Sequence, residues 1–375
     1  KVLFEAVKLR LLADVPLGAL LSGGYDSSLV TAIAQDIMGV KPLKTFSIGF
    51  QEKGYDEAGY ASEVARHLGT DHTEMYCGLG DMEALVDDMP KFFDEPIADP
   101  SVIPTMLVSQ LARSRVTTVL SGDGGDELFC GYNHYSAVDI AQRMDLVGKV
   151  LNKMGKIGKI GELYPSSVKI VTGNQDKKTK VQLPVWEYIS AIDNIIPSSD
   201  SEAEWYGFDE FKYFEKDWIV RRMLLDMDTY LPGEVLTKVD RASMKYSLEC
   251  RCPLLDYRVV EYSMRLSRKY KRYHNKGKRI LRDITHEYLP ENLMDRPKMG
   301  FSIPLDKWLR SLLKEDMMEL CSKSYLNYQG IFDPAFTYEF VEKNIGNGSN
   351  KKSRDFTGIC WNLYVFQRWY DYYIH

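Results

Sequence analysis

Two glycine-rich loops hold the residues with the clearest chemical promise. The first reads Ser22-Gly23-Gly24-Tyr25-Asp26-Ser27-Ser28 and lies between a short apolar run, Leu17 to Leu21, and a helical pattern. Small residues let backbone amides approach an anion, the hydroxyls of Ser22, Ser27 and Ser28 add donors, and the positive end of the following helix favours negative charge. The second reads Ser121-Gly122-Asp123-Gly124-Gly125-Asp126-Glu127-Leu128-Phe129 and follows the apolar run Val116 to Leu120. Its three carboxylates beside a bound anion require a cation between them, and magnesium is the hard, oxygen-seeking candidate. Neither loop has the Walker GxxxxGK[ST] pattern or the GxGxxG dinucleotide spacing.

These loops need a scaffold that brings them to one place. Strand-like runs at Leu17–Leu21, Thr45–Phe50, His72–Tyr76 and Val116–Leu120 alternate with helical patterns over 26–38, 56–68, 82–89 and 102–112. Such alternation predicts an α/β fold, a parallel twisted sheet covered by helices on both faces, with ligands at the carboxyl ends of the strands. Helical patterns then recur over 218–231, 233–248, 257–266, 278–288, 305–320 and 356–373, so a mainly helical region should follow. Between them, residues 149–180 hold eight lysines against Glu162 and Asp176 with no sustained periodicity, which reads as a peripheral insertion. The expected division is a nucleotide-binding core over 1–140, a variable lysine-rich insertion over 141–215, and a helical part over 216–375 that completes the site.

The Ser22–Ser28 loop resembles the SGGxDS pyrophosphate loop of the ATP pyrophosphatases, which have an adenine nucleotide alpha hydrolase-like fold. The two loops together resemble the synthetase domain of glutamine-dependent asparagine synthetases. So do Leu231-Pro232, Thr237-Lys238-Val239-Asp240-Arg241-Ala242-Ser243-Met244, Ser247-Leu248-Glu249-Cys250-Arg251-Cys252-Pro253-Leu254-Leu255-Asp256, Lys278-Arg279-Ile280-Leu281-Arg282 and Arg296-Pro297-Lys298-Met299-Gly300-Phe301. The resemblance implies that a carboxylate, aspartate by default, attacks the alpha phosphate of Mg-ATP, and that ammonia then displaces AMP to give an amide. It implies that Ser22, Gly23, Gly24, Ser27 and Ser28 hold pyrophosphate, that Asp26 and Asp126 ligate magnesium, and that Leu20, Ile48, Ser121 and Gly122 contact the nucleotide. It places Asp123 and Lys298 in the catalytic set, the latter as the cation that stabilises the pentavalent phosphorus. Glu249, beside Arg251, is a further catalytic candidate that either orients substrate or pairs with that arginine. The family's amino-terminal glutaminase domain, with its leading cysteine nucleophile, is not recognisable in these residues, so a longer native enzyme with such a domain or subunit is expected.

The bulk properties agree with this. Of 375 residues 45% are hydrophobic and 27% charged, and 48 basic against 53 acidic residues leave a formal charge of −5, so the whole molecule has no field that would gather nucleic acid or an anionic membrane. No signal peptide or membrane-spanning run is legible, and a cytoplasmic protein is expected. The six cysteines show no CxxC spacing, which argues for reduced thiols and against zinc. Two rival readings remain. The same chemistry could act on another carboxylate, such as a sugar acid or a secondary-metabolite precursor. The acid-free basic and aromatic run Arg268–Arg279 would also suit an RNA-modifying enzyme.

Overall fold

The structure is a computed structural model that describes residues 1–50, 58–136, 138–140, 142–143, 217–273, 276–295, 303–346 and 356–374. The insertion expected over 149–180 and the Arg296–Phe301 stretch with Lys298 lie outside the described residues.

The first third builds α1 (Val2–Arg10), β1 (Leu17–Leu20), α2 (Tyr25–Met38), β2 (Lys44–Phe50), α3 (Ala58–Leu68), β3 (Asp71–Cys77), α4 (Leu79–Phe92), α5 (Val102–Arg113), β4 (Thr118–Leu120) and α6 (Gly125–Phe129). From residue 217 onward come α7 (Trp218–Asp228), a π-helical stretch over Leu231–Leu236, α8 (Thr237–Met244), β5 (Glu249–Arg251), α9 (Tyr257–Arg265), α10 (Arg268–Lys271), a small hairpin and α11 (Arg279–Thr285). Five strands pair in the order β3-β2-β1-β4-β5, and every pairing is parallel. A helical carboxyl-terminal region completes the α/β architecture and closes with the helix Thr357–Ile374.

Both faces of the sheet are buried, and the alternation of side chains along each strand shows why. Val119 packs into a core with Phe46, Ile48, Met106, Trp308 and Trp361, whereas its neighbour Leu120 packs with Ala19, Leu29, Leu43 and Val7. One core therefore fastens α5 and the carboxyl-terminal helices to the sheet, and the other fastens α1 and α2.

Two expectations needed revision. The helix expected over 233–248 is a π-helical stretch followed by α8, and its last residues, 245–248, form a turn that leads into a strand. That strand, β5, extends the sheet beyond β4, so residues on either side of the lysine-rich insertion share one sheet. The helix expected over 305–320 is two helices, Leu305–Leu309 and Lys314–Leu320.

Candidate active site

β1 and β4 are adjacent and parallel, in the register Leu17 to Thr118 and Ala19 to Leu120, so their following loops leave the sheet at the same edge. The chain runs outward from β1 through β2 to β3 on one side, and β4 and β5 lie on the other. The crevice thus opens where strand order reverses, the usual ligand position in an open parallel sheet. A cleft of about 690 Å3 occupies it.

The first loop is organised by its own hydroxyls. Ser27 Oγ accepts from the Ser22 amide at 3.2 Å and lies 3.0 Å from Ser22 Oγ, which accepts from the Gly24 amide at 3.3 Å. Gly24 caps the fourteen-residue α2, whose first turn carries Asp26. The second loop packs directly against the first. A Cβ on Gly122 would stand 2.7 Å from the Ser27 nitrogen, and one on Gly125 would stand 2.5 Å from the Asp26 carboxylate, so only glycine permits this approach.

Asp26 and Asp126 converge on a single cation, Lys278. Its Nζ is 2.9 Å from Asp126 and forms an even closer ion pair with Asp26. Lys278 is only 8% exposed and adopts a left-handed φ of 58° at the start of α11, with its amide donating to the Phe129 carbonyl at 2.9 Å. A non-glycine residue held in that conformation at a site signals a positional demand. Burial acts to lower the lysine's pKa, but the two aspartates outweigh it and hold the pKa above its ordinary value. Sequence reasoning placed Lys278 in a family signature without a role. Its meeting with two loops some 150 and 250 residues away has no local signal.

The expected site residues are distributed as follows. Leu20, Ser22, Gly23, Gly24, Asp26, Ser27, Ile48, Ser121, Gly122, Asp123 and Asp126 all line the cleft, with Phe46 and Ser47 extending its apolar wall beside Ile48. Ser28 is fully buried in α2, and its hydroxyl has no hydrogen-bond partner among the described residues. The structure does not bring Glu249 to the cleft. Its side chain is 56% exposed and pairs with Arg251 at 2.8 Å, while Arg251 donates to the carbonyls of Arg10 and Leu12. The alternation along β5 turns this pair to one side and Cys250 to the other, toward the cleft. Of the two roles weighed for Glu249, the geometry supplies the pairing.

Further charged groups line the cleft away from the Lys278 cluster. Lys238 Nζ donates to Asp99 and to Ser101 Oγ, each at 2.8 Å, and all three residues line the wall. Burial would raise the Asp99 pKa, but Lys238 outweighs it and holds the carboxyl below its usual range. Tyr132 donates its hydroxyl to Glu127, whose carboxyl burial pushes up to about 7. Asp123 is likewise raised by burial, against a hydrogen bond from Ser121.

The basic run that would suit RNA is divided between inward and outward side chains. Arg268 pairs with Asp139 and Asp217, Arg272 is buried and donates to Ser136, Lys271 is buried, and Lys278 sits in the cleft. Lys269, Lys276 and Arg279 remain toward solvent, Lys276 pairing with Asp295 at 3.2 Å.

Fold and site together define a protein of the adenine nucleotide alpha hydrolase-like class, with serine- and glycine-rich loops at the switch point of a parallel sheet. The asparagine synthase family pattern matches residues 1–371, and the chain belongs to that family. It is similar to an asparagine synthetase (glutamine-hydrolysing) 1 of Bacillus subtilis, 27% identical over 98% of this chain and 58% of the relative. It is also similar to an asparagine synthetase (glutamine-hydrolysing) 3 of the same organism, 27% identical over 79% of this chain and 46% of the relative. An amidase chyE of Penicillium rubens is 26% identical over 92% of this chain and 57% of its own length. The chain thus spans between 46% and 58% of the length of these curated relatives. Among the described residues no helix is long and apolar enough to cross a membrane.

Proposed function

We propose that this chain is the synthetase part of an ATP-dependent amide-forming ligase, in which a substrate carboxylate is adenylated with loss of pyrophosphate and ammonia then displaces AMP. The supporting observation is the convergence of Asp26 and Asp126, from two interlocked glycine loops, on Lys278 at the floor of the cleft.

The roles follow from charge. Pyrophosphate would lie over the amide-rich start of α2, with Ser22 and Ser27 as donors and Lys278 as its counter-charge. The adenine would lie against Leu20 and Ile48, where the wall is apolar. The hard carboxylate oxygens of Asp26 and Asp126 suit magnesium, and Gly125 leaves room against the Asp26 carboxylate that a Cβ would fill. Magnesium, when bound, would supply neutralising charge for the departing pyrophosphate. Asp123, whose carboxyl feels the charges of both Lys238 and Asp126, would orient the reacting carboxylate and the incoming amine. Lys298 belongs to the same proposal through its match to the family signature.

L-Aspartate is the default acceptor, and the amidase-named relative keeps other carboxylates open as acceptors. A glutaminase domain or subunit supplying ammonia, a cytoplasmic setting, and the three-part division at residues 140 and 215 are further parts of this reading. Calorimetric titration with ATP, with and without magnesium, tests the binding half. Asp26→Asn should weaken binding mainly in the presence of magnesium, and an unchanged magnesium dependence would place the metal elsewhere.

A further inference from the structure

Alternation along β5 turns Cys250 away from Glu249 and Arg251, and Cys252, the first residue past the strand, meets it beside Asp123. One ligand atom from each of Asp123, Cys250 and Cys252 lies within 4.8 Å of the other two. Cys250 and Asp123 line the cleft, and Cys252 Sγ is 3.3 Å from the hydroxyl of Ser121, itself a hydrogen-bond partner of Asp123. The cluster is held at both ends by the fold, because β5 pairs along β4 and the Ser121 amide donates to the Arg251 carbonyl at 2.9 Å.

Zinc–sulfur and zinc–oxygen bonds of about 2.3 and 2.0–2.2 Å separate the ligands of a tetrahedral ion by roughly 3.5–4 Å, so small side-chain rotations would bring these three into range. Two sulfur ligands distinguish the cluster from the all-oxygen pair Asp26 and Asp126, since soft donors select zinc over magnesium. Three protein ligands at a cleft wall leave a fourth position open to water or substrate. The absence of a CxxC spacing, which argued against zinc, misses this arrangement because a strand needs only one intervening residue to align two thiols.

We propose that Cys250, Cys252 and Asp123 form a zinc site, and that zinc bound there withdraws Asp123 from adenylation and inhibits the enzyme. Both thiols release their protons to solvent as the two sulfur–metal bonds form. The inhibitory half rests on the role proposed for Asp123; the site itself does not.

The test is titration of the 375-residue chain, reduced with a phosphine, first with cobalt(II) and then with zinc. The wild type should develop a sulfur-to-cobalt charge-transfer band that saturates at one equivalent and is erased by zinc. Cys250→Ala and Cys252→Ala should each diminish the band and weaken zinc binding at least about tenfold, or about 1.4 kcal/mol, while still binding ATP, which shows that they fold. Stoichiometric zinc should suppress pyrophosphate release by the wild type and spare the double variant. No sulfur band in the wild type, or an undiminished band in the double variant, overturns the site. A sulfur band with full turnover under zinc overturns the inhibitory role alone. Because the band is read without turnover, failure of the ligase reading would not be mistaken for failure of the site.

Discussion

Lys278 stands between two carboxylates that would otherwise face each other in a mostly buried floor. Removing one partner of such a group leaves uncompensated charge. Lys278→Met is therefore expected to lower stability by about 2–4 kcal/mol in the absence of magnesium, and added magnesium should restore much of that loss. A variant whose thermal midpoint ignores magnesium would separate the two aspartates from the metal. Asp123→Ala makes the complementary prediction. Pyrophosphate release should fall at least about 100-fold, the scale of losing an electrostatic contact to the reacting groups, while ATP binding stays near that of the wild type. Wild-type turnover in that variant would remove Asp123 from the mechanism.

The elements explain why some of this was legible in the sequence and some was not. β1 and β4 are short, apolar and followed by serine and glycine, so both glycine-rich loops and their shared edge could be read directly. β5 could not. It has three residues, its outward Glu249 and Arg251 are charged, and it follows α8 after a residue with positive φ, Ser247, so its periodicity merges with the helix before it. Missing β5 also hid the alignment of Cys250 with Cys252 and the outward turn of Glu249. Lys278 was hidden differently, since it depends on contacts between segments far apart in the chain. At this scale the interlocked loops give a prediction of their own. Gly122→Ala would force a Cβ to within 2.7 Å of the Ser27 nitrogen and should separate the loops. A stability loss of about 1–3 kcal/mol with weakened ATP binding is expected, and unaltered ATP affinity would show that loop contact is dispensable.

Across the whole molecule, ion pairs join segments that the sequence keeps apart. Asp256 caps α9 and accepts from Arg258 at 2.8 and 2.9 Å and from Arg10 of α1, so the first helix is tied to a segment almost 250 residues later. The Arg258 hydrogen bonds, with Arg10 assisting, hold Asp256 well below the usual carboxylate range. A depressed carboxylate stabilises the fold above its unfolded pKa of about 3.9, and that contribution is lost as pH falls through the native value. Asp256→Ala should cost about 2–4 kcal/mol near neutral pH through the lost pair and cap. Its stability deficit relative to wild type should shrink as pH drops below about 4, and a pH-independent deficit in thermal unfolding would contradict the assignment. Part of the basic run belongs to the same scale, because Arg268, Lys271 and Arg272 are taken up by the fold and Lys278 by the cleft. The most direct test of the ligase reading is pyrophosphate release from Mg-ATP with ammonium chloride, with and without L-aspartate, and identification of the products by mass. Release that depends on a carboxylate acceptor and yields AMP with the corresponding amide is the predicted result. Conversion of ATP to ADP and phosphate, with no AMP under any acceptor, would contradict cleavage between the alpha and beta phosphates and with it the central claim.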